Sequence, residues 1–126
     1  MWLYITVGGA AGALGRYWLS GWIQVVFAGA FPLGTLTVNV LGSLLLGFGM
    51  QAMEALPVSA AVRTMITIGF LGSFTTFSTF SYETVTLLRD GDWWRAVLYT
   101  GLSLALGLLA IIVGFAAASI LLEARG

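Results

Sequence analysis

The sequence predicts an all-α integral membrane protein of four transmembrane helices, and three observations carry that reading. Of 126 residues, 60% are hydrophobic and only 8% are charged, too little charged surface to cover a soluble globule. The apolar residues fall into four stretches, about 2–28, 33–53, 62–88 and 95–122, each close to the roughly 20 residues that cross a bilayer. In hydrocarbon every backbone polar group must be satisfied within its own segment, so stretches of this length are helices. Residues 1–126 then make a single four-helix transmembrane domain, with nothing left over for a soluble one.

The first stretch opens Met1-Trp2-Leu3-Tyr4-Ile5. It lacks the basic region of a cleavable signal peptide and is expected to remain as a span. Gly8 and Gly12 form a G-x-x-x-G pair, with Arg16 one further step of four along the same face. Such a face lets a neighbouring helix approach closely. A charge inside a span is costly, so Arg16 either faces protein or water or snorkels to the interface from the helix end. Gly29-Ala30-Phe31-Pro32, with Gly34, breaks the chain before the second stretch, because proline lacks a donor and restricts the residue before it. Thr35, Asn39 and Ser43, spaced by four, make a polar stripe on the second helix. The Asn39 amide either bonds another helix or offers its NH₂ to an anion or a solvated path. That helix ends between Glu54 and Pro57, ahead of Arg63. The fourth stretch follows Arg89-Asp90-Gly91-Asp92, with Trp93 and Trp94 at headgroup level. It carries Tyr99 and Ser103, again four apart, as interhelical glue or as part of a polar path.

The third stretch holds the most unusual feature. From Ser73 to Ser81, nine consecutive residues carry only hydroxyl or phenyl side chains. Gly69 and Gly72 precede them, and a membrane helix can break where neighbouring hydroxyls re-satisfy the freed backbone, so a break is expected near Gly72 to Thr76. A broken helix offers carbonyls at the end of one half and amides at the start of the next, sites for a cation and an anion respectively. On a helical wheel Phe74, Phe77 and Phe80 share an arc of about 120°, and Thr75, Ser78 and Thr79 an adjacent arc of about 100°. Hydroxyls donate to anions, and the positive edge of a phenyl ring can face one.

Charge placement bears on topology. With four spans, Arg63 and Arg125 lie on one side and Arg89 and Arg95 on the other, with Arg16 inside the first span. This balance sets no preferred orientation, as expected of a chain that inserts both ways and pairs antiparallel with itself. Four short helices hardly enclose a shielded polar path alone, so a dual-topology homodimer is expected, multi-pass in the plasma (inner) membrane. The absence of cysteine and histidine removes thiol and imidazole chemistry, and no enzyme activity is expected.

Three stretches, GGAAGALGRY (Gly8 to Tyr17), GTLTVNVLG (Gly34 to Gly42) and GFLGSFTTFSTFSYET (Gly69 to Thr84), resemble the signature segments of the Fluc fluoride channels, also called CrcB-type fluoride exporters. The resemblance implies an antiparallel homodimer with two fluoride pathways and a structural sodium ion where the two broken third helices cross. It places the backbone carbonyls of Gly72 and Thr75 on the sodium, Phe77 and Phe80 along the anion path, and Asn39 beside it. Thr76, Ser78 and Thr79 add hydroxyls, and Tyr99 and Ser103 continue the polar track. Glu83 matches an acidic residue of the family, odd beside an anion path. Arg16 joins the pathway residues on its own reading, as a charge inside the first span. The chain departs from some relatives at Gly107, where they carry another serine a turn beyond Ser103.

The implied activity is passive fluoride export down the electrochemical gradient, giving fluoride resistance. Each contact is favourable enough for entry and weak enough for exit. Two other classes compete. A small dual-topology drug/proton antiporter needs a carboxylate inside the membrane, and the first stretch has none. A non-transporting assembly protein has no use for the hydroxyl-phenyl run.

Overall fold

The computed structural model describes residues 1–125, all helical or in short connections, with no strand among the described residues. Helix α1 is Trp2–Val26 and α2 is Leu33–Ala55. Helix α3 covers residues 60–74 in three pieces: Ala60–Thr64, a π-helical stretch Met65–Leu71 and a final turn Gly72–Phe74. Helix α4 is Phe77–Arg89 and α5 is Trp93–Glu123. Three helical runs, Leu33–Ala55, Ala60–Arg89 and Trp93–Glu123, are long and apolar enough to cross a membrane, which makes this a multi-pass membrane protein. The 25 residues of α1 are also long enough, but Arg16, Ser20 and Gln24 make that helix less apolar.

Local chemistry explains the ends. Pro32 occupies the N-cap of α2, where a missing N–H costs nothing. Ser59 caps α3, accepting from the Val62 amide at 3.2 Å. Gly91, at φ 78°, makes the turn between α4 and α5, a left-handed conformation that favours glycine. Trp93 and Trp94 form the first turn of α5, and Arg95 lies 4.9 Å from the Trp94 ring centroid while pairing with Asp92 at 2.8 Å.

Helices α2 and α5 pack along their length, and they run parallel: Leu36 shares a cluster with Ala96 and Tyr99, while farther along Gly47 meets the Ile111 backbone. A Cβ at Gly47 or Gly114 would run into the opposing backbone, so these glycines let the two helices touch main chain to main chain. The G-x-x-x-G face of α1 does the same against α3, with Gly8 on Met65 and Gly12 on Phe70. Much of the outer surface is apolar, with Trp2, Leu14, Trp18, Ile68 and Leu108 exposed, as suits lipid or a second subunit.

The wheel drawn for one continuous third helix does not hold. Thr75 (φ −89°, ψ 156°) and Thr76 (φ −148°, ψ 115°) have extended torsions between α3 and α4, so angular positions do not carry across them. Phe74 is buried and stacks on Phe70 at 5.6 Å, whereas Phe77 is 79% exposed and Phe80 turns toward α5. Phe74 therefore belongs to the core and shares no face with the other two. Thr75 is likewise separated from Ser78 and Thr79, and its hydroxyl donates back to the Leu71 carbonyl at 3.0 Å.

Candidate functional site

Two extended residues inside a membrane helix leave backbone groups without helical partners, a costly state in hydrocarbon. Side chains from the neighbouring helices supply those partners. Asn39 Nδ2 donates to the Thr76 carbonyl at 3.1 Å, and the Thr76 amide donates to Asn39 Oδ1 at 2.7 Å. On the other side of the interruption, Arg16 Nε donates to the Ser73 carbonyl at 3.0 Å, placing a cation at the carbonyl end of α3, where the helix dipole favours it. Thr76 also caps α4: its Oγ1 accepts from the Thr79 amide at 3.2 Å and lies 3.1 Å from Thr79 Oγ1 and 3.3 Å from Ser78 Oγ. The hydroxyls of Thr76, Ser78 and Thr79 thus gather at the amide end of α4, where the dipole favours an anion.

An aromatic row leads inward from this point. Phe77 and Phe80 have centroids 5.9 Å apart, Phe80 and Tyr99 5.1 Å, and Tyr99 meets Phe31 edge-on at 5.6 Å. Tyr99 has no exposed surface. Its hydroxyl and that of Ser103 are buried with no hydrogen-bond partner among the described residues. Buried O–H groups are ordinarily paired, and leaving one unpaired costs about 1–3 kcal/mol. The Tyr99 hydroxyl faces Thr35 and Glu83, while that of Ser103 lies in the groove that Phe80 also lines.

Most of the predicted residues line one of two cavities, and Arg16, Ser78, Thr79 and Tyr99 line neither. A groove of about 330 Å³ is lined by Asn39, Gly72, Thr75, Thr76, Phe77, Phe80 and Ser103. Glu83 lies elsewhere, in a cavity of about 540 Å³ that opens near the α1–α2 and α4–α5 connections and also holds Thr35, Asp90 and Asp92. There Thr35 Oγ1 donates to Glu83 Oε1. Tyr99 is packed among Phe31, Leu36, Leu87 and Phe80, between the faces that bound the two cavities. Arg16 lines neither; it is turned to the Ser73 carbonyl.

The carbonyls of Gly72 and Thr75, which the family resemblance places on a sodium ion, have chemistry that fits one. Both line the same groove, and Thr75 leaves helical torsions, which frees its carbonyl from the helical ladder. Neutral oxygens suit a hard alkali cation, and no group of three or more Asp, Glu, His or Cys side chains gathers among the described residues.

Two contributors went unremarked at the sequence level. Gln24 ties the α1–α2 connection together, donating to the Gly29 and Phe31 carbonyls at 3.1 and 3.2 Å and accepting from the Gly34 amide at 3.2 Å. That connection holds Phe31 against Tyr99. A lone glutamine one turn before a Gly/Pro loop was the available signal. Phe31 itself, between an alanine and a proline, read only as loop.

Residues 3–115 match the family described as CrcB-like protein, Camphor Resistance (CrcB). Among similar curated proteins, the fluoride-specific ion channel FluC of Opitutus terrae is 47% identical over 121 residues, 94% of this chain and 92% of that protein. The FluC of Acidobacterium capsulatum is 45% identical over 113 residues, covering 89% and 90%. The FluC of Geotalea uraniireducens is 53% identical over 91 residues, covering 71% and 73%. With a family match over nearly its whole length and relatives this similar, the chain belongs to the CrcB-like family.

Proposed function

We propose that this protein is a fluoride-selective channel, with no enzymatic activity, that lets cytoplasmic fluoride leave the cell passively. The observation that carries the reading is the buried, unpartnered hydroxyl of Ser103, in the same groove as Phe80, Phe77 and Thr76. A small, strongly hydrated anion gives up water only where donors replace it. The hydroxyls of Thr76, Ser78 and Thr79 collect at the amide end of α4 and strip the first waters. The ring edges of Phe77 and Phe80 then pass the ion to Tyr99 and Ser103. Asn39 acts by holding the Thr76 peptide, and Arg16 by holding that of Ser73. Glu83 lines the wider cavity and accepts from Thr35, so its role in this reading is to orient the Thr35 hydroxyl.

The working unit in this reading is an antiparallel, dual-topology homodimer in the plasma (inner) membrane, with α1 as the fourth span of each subunit. The balanced arginines and the apolar outer surface support it. A sodium ion held by Gly72 and Thr75 carbonyls would supply a fixed positive charge that ties the interrupted helices together.

Growth tests this reading. In cells lacking fluoride export, the chain should restore growth in inhibitory fluoride, and the double variant Tyr99→Phe with Ser103→Ala should not. Equal growth with both, or with neither, contradicts it.

A further inference from the structure

The polar stripes of α2 and α5 climb in step. Thr35, Asn39 and Ser43 advance by four along α2, and Tyr99, Ser103 and position 107 advance by four along α5. The helices are parallel, with Leu36 level with Ala96 and Tyr99 and Gly47 against Ile111, so the rungs of one stripe stay beside those of the other. The third rung of α5 has no side chain: it is Gly107. A Cβ built there would lie 3.9 Å from Ser43 Oγ, and Ser43, Ser103 and Gly107 line the same groove as Asn39 and Thr76. Thr67 also reaches that groove, but its hydroxyl donates to the Arg63 carbonyl at 2.9 Å.

We infer that Ser43 supplies the hydroxyl contact to a permeating small anion beyond Ser103, from α2, in the place that α5 leaves open at Gly107. The inference rests on the channel reading above. It adds a pathway residue from the opposite helix: the donor row starts on α5 with Tyr99 and Ser103 and crosses to α2. A serine at this height can give its hydrogen to a passing anion and return it to a main-chain carbonyl once the ion has left, which keeps the contact weak enough for release.

Fluoride efflux from liposomes, measured with a fluoride electrode, tests this with four proteins: the parent, Ser43→Ala, and Ser43→Ala combined with either Gly107→Ser or Gly107→Ala. Loss of one hydroxyl contact should slow Ser43→Ala by roughly tenfold. Because the space over Gly107 accepts a Cβ at ordinary contact distance, Gly107→Ser in that background should restore efflux to within about twofold of the parent. Gly107→Ala, which adds the volume without the hydroxyl, should restore none. Parental efflux from Ser43→Ala overturns the inference, as does failure of Gly107→Ser to rescue or equal rescue by Gly107→Ala, which would make the site one of packing. A parent that passes no fluoride fails the channel reading itself, a result distinct from all of these.

Discussion

The side-chain amide of Asn39 and the peptide of Thr76 exchange two hydrogen bonds, at 3.1 and 2.7 Å, across 37 residues of sequence. One asparagine thereby satisfies both the N–H and the C=O of Thr76, at the interruption between α3 and α4. It does for a broken membrane helix what a neighbouring strand does in a sheet. The arrangement also fixes where the Thr76 hydroxyl points, since Thr76 caps α4 and lies beside Ser78 and Thr79.

Asn39→Asp should therefore damage both structure and transport. An ionised carboxylate can accept from the Thr76 amide but cannot donate to its carbonyl, and it sets two acceptors face to face. The cost expected is about 1–3 kcal/mol of stability, read as a lower melting temperature in detergent, together with at least a tenfold loss of fluoride flux. Unchanged melting would show that the amide pair is dispensable.

Phe77→Ile and Phe80→Ile should separate by stability while agreeing in function. Phe77 is 79% exposed in the subunit, so its replacement should leave the folded monomer within about 0.5 kcal/mol of the parent. Phe80 touches both Phe77 and Tyr99, and losing those ring contacts should cost about 0.5–1.5 kcal/mol. Both variants should lose most fluoride flux. Normal flux in both would make these rings packing elements only.

How much of this was legible in the sequence depends on the range of the interaction. The proline, the turn glycine and the change from apolar to polar residues are local, and the helix ends fall within a couple of residues of their expected places. The hydroxyl-phenyl run marked the region that carries the site for the same reason: its composition is visible without a partner. The wheel failed because one pair of extended torsions, at Thr75 and Thr76, changes the direction of every later side chain. Phe74 was consequently grouped with Phe77, although it stacks on Phe70. The partner of Arg16 is a main-chain carbonyl 57 residues away, and no side-chain pattern encodes a carbonyl. Asn39 stands out as an amide in an apolar helix, but its choice between an ion and a peptide is made by tertiary packing alone.

The segment from Gly72 to Thr75 gives a prediction about the cation. If carbonyls hold it, Thr75→Ser should keep both the ion and transport, because the side-chain hydroxyl is bonded to Leu71 in either case. One residue inserted between Ser73 and Phe74 should abolish transport, since it would displace the Thr75 carbonyl relative to that of Gly72. Full flux from the insertion variant would rule out this sodium site.

Topology is open to a separate test. Reporters fused to the C-terminus should read out on both sides of the membrane, and two lysines added to the α4–α5 connection should bias them to one side. One-sided readout from the unaltered chain would contradict antiparallel pairing.

Selective fluoride passage is the central claim, and ion efflux from liposomes loaded with fluoride and chloride measures it most directly. With potassium made permeable so that charge can balance, purified protein should release fluoride rapidly while chloride stays inside. Release of both anions alike, or of neither, would contradict the account.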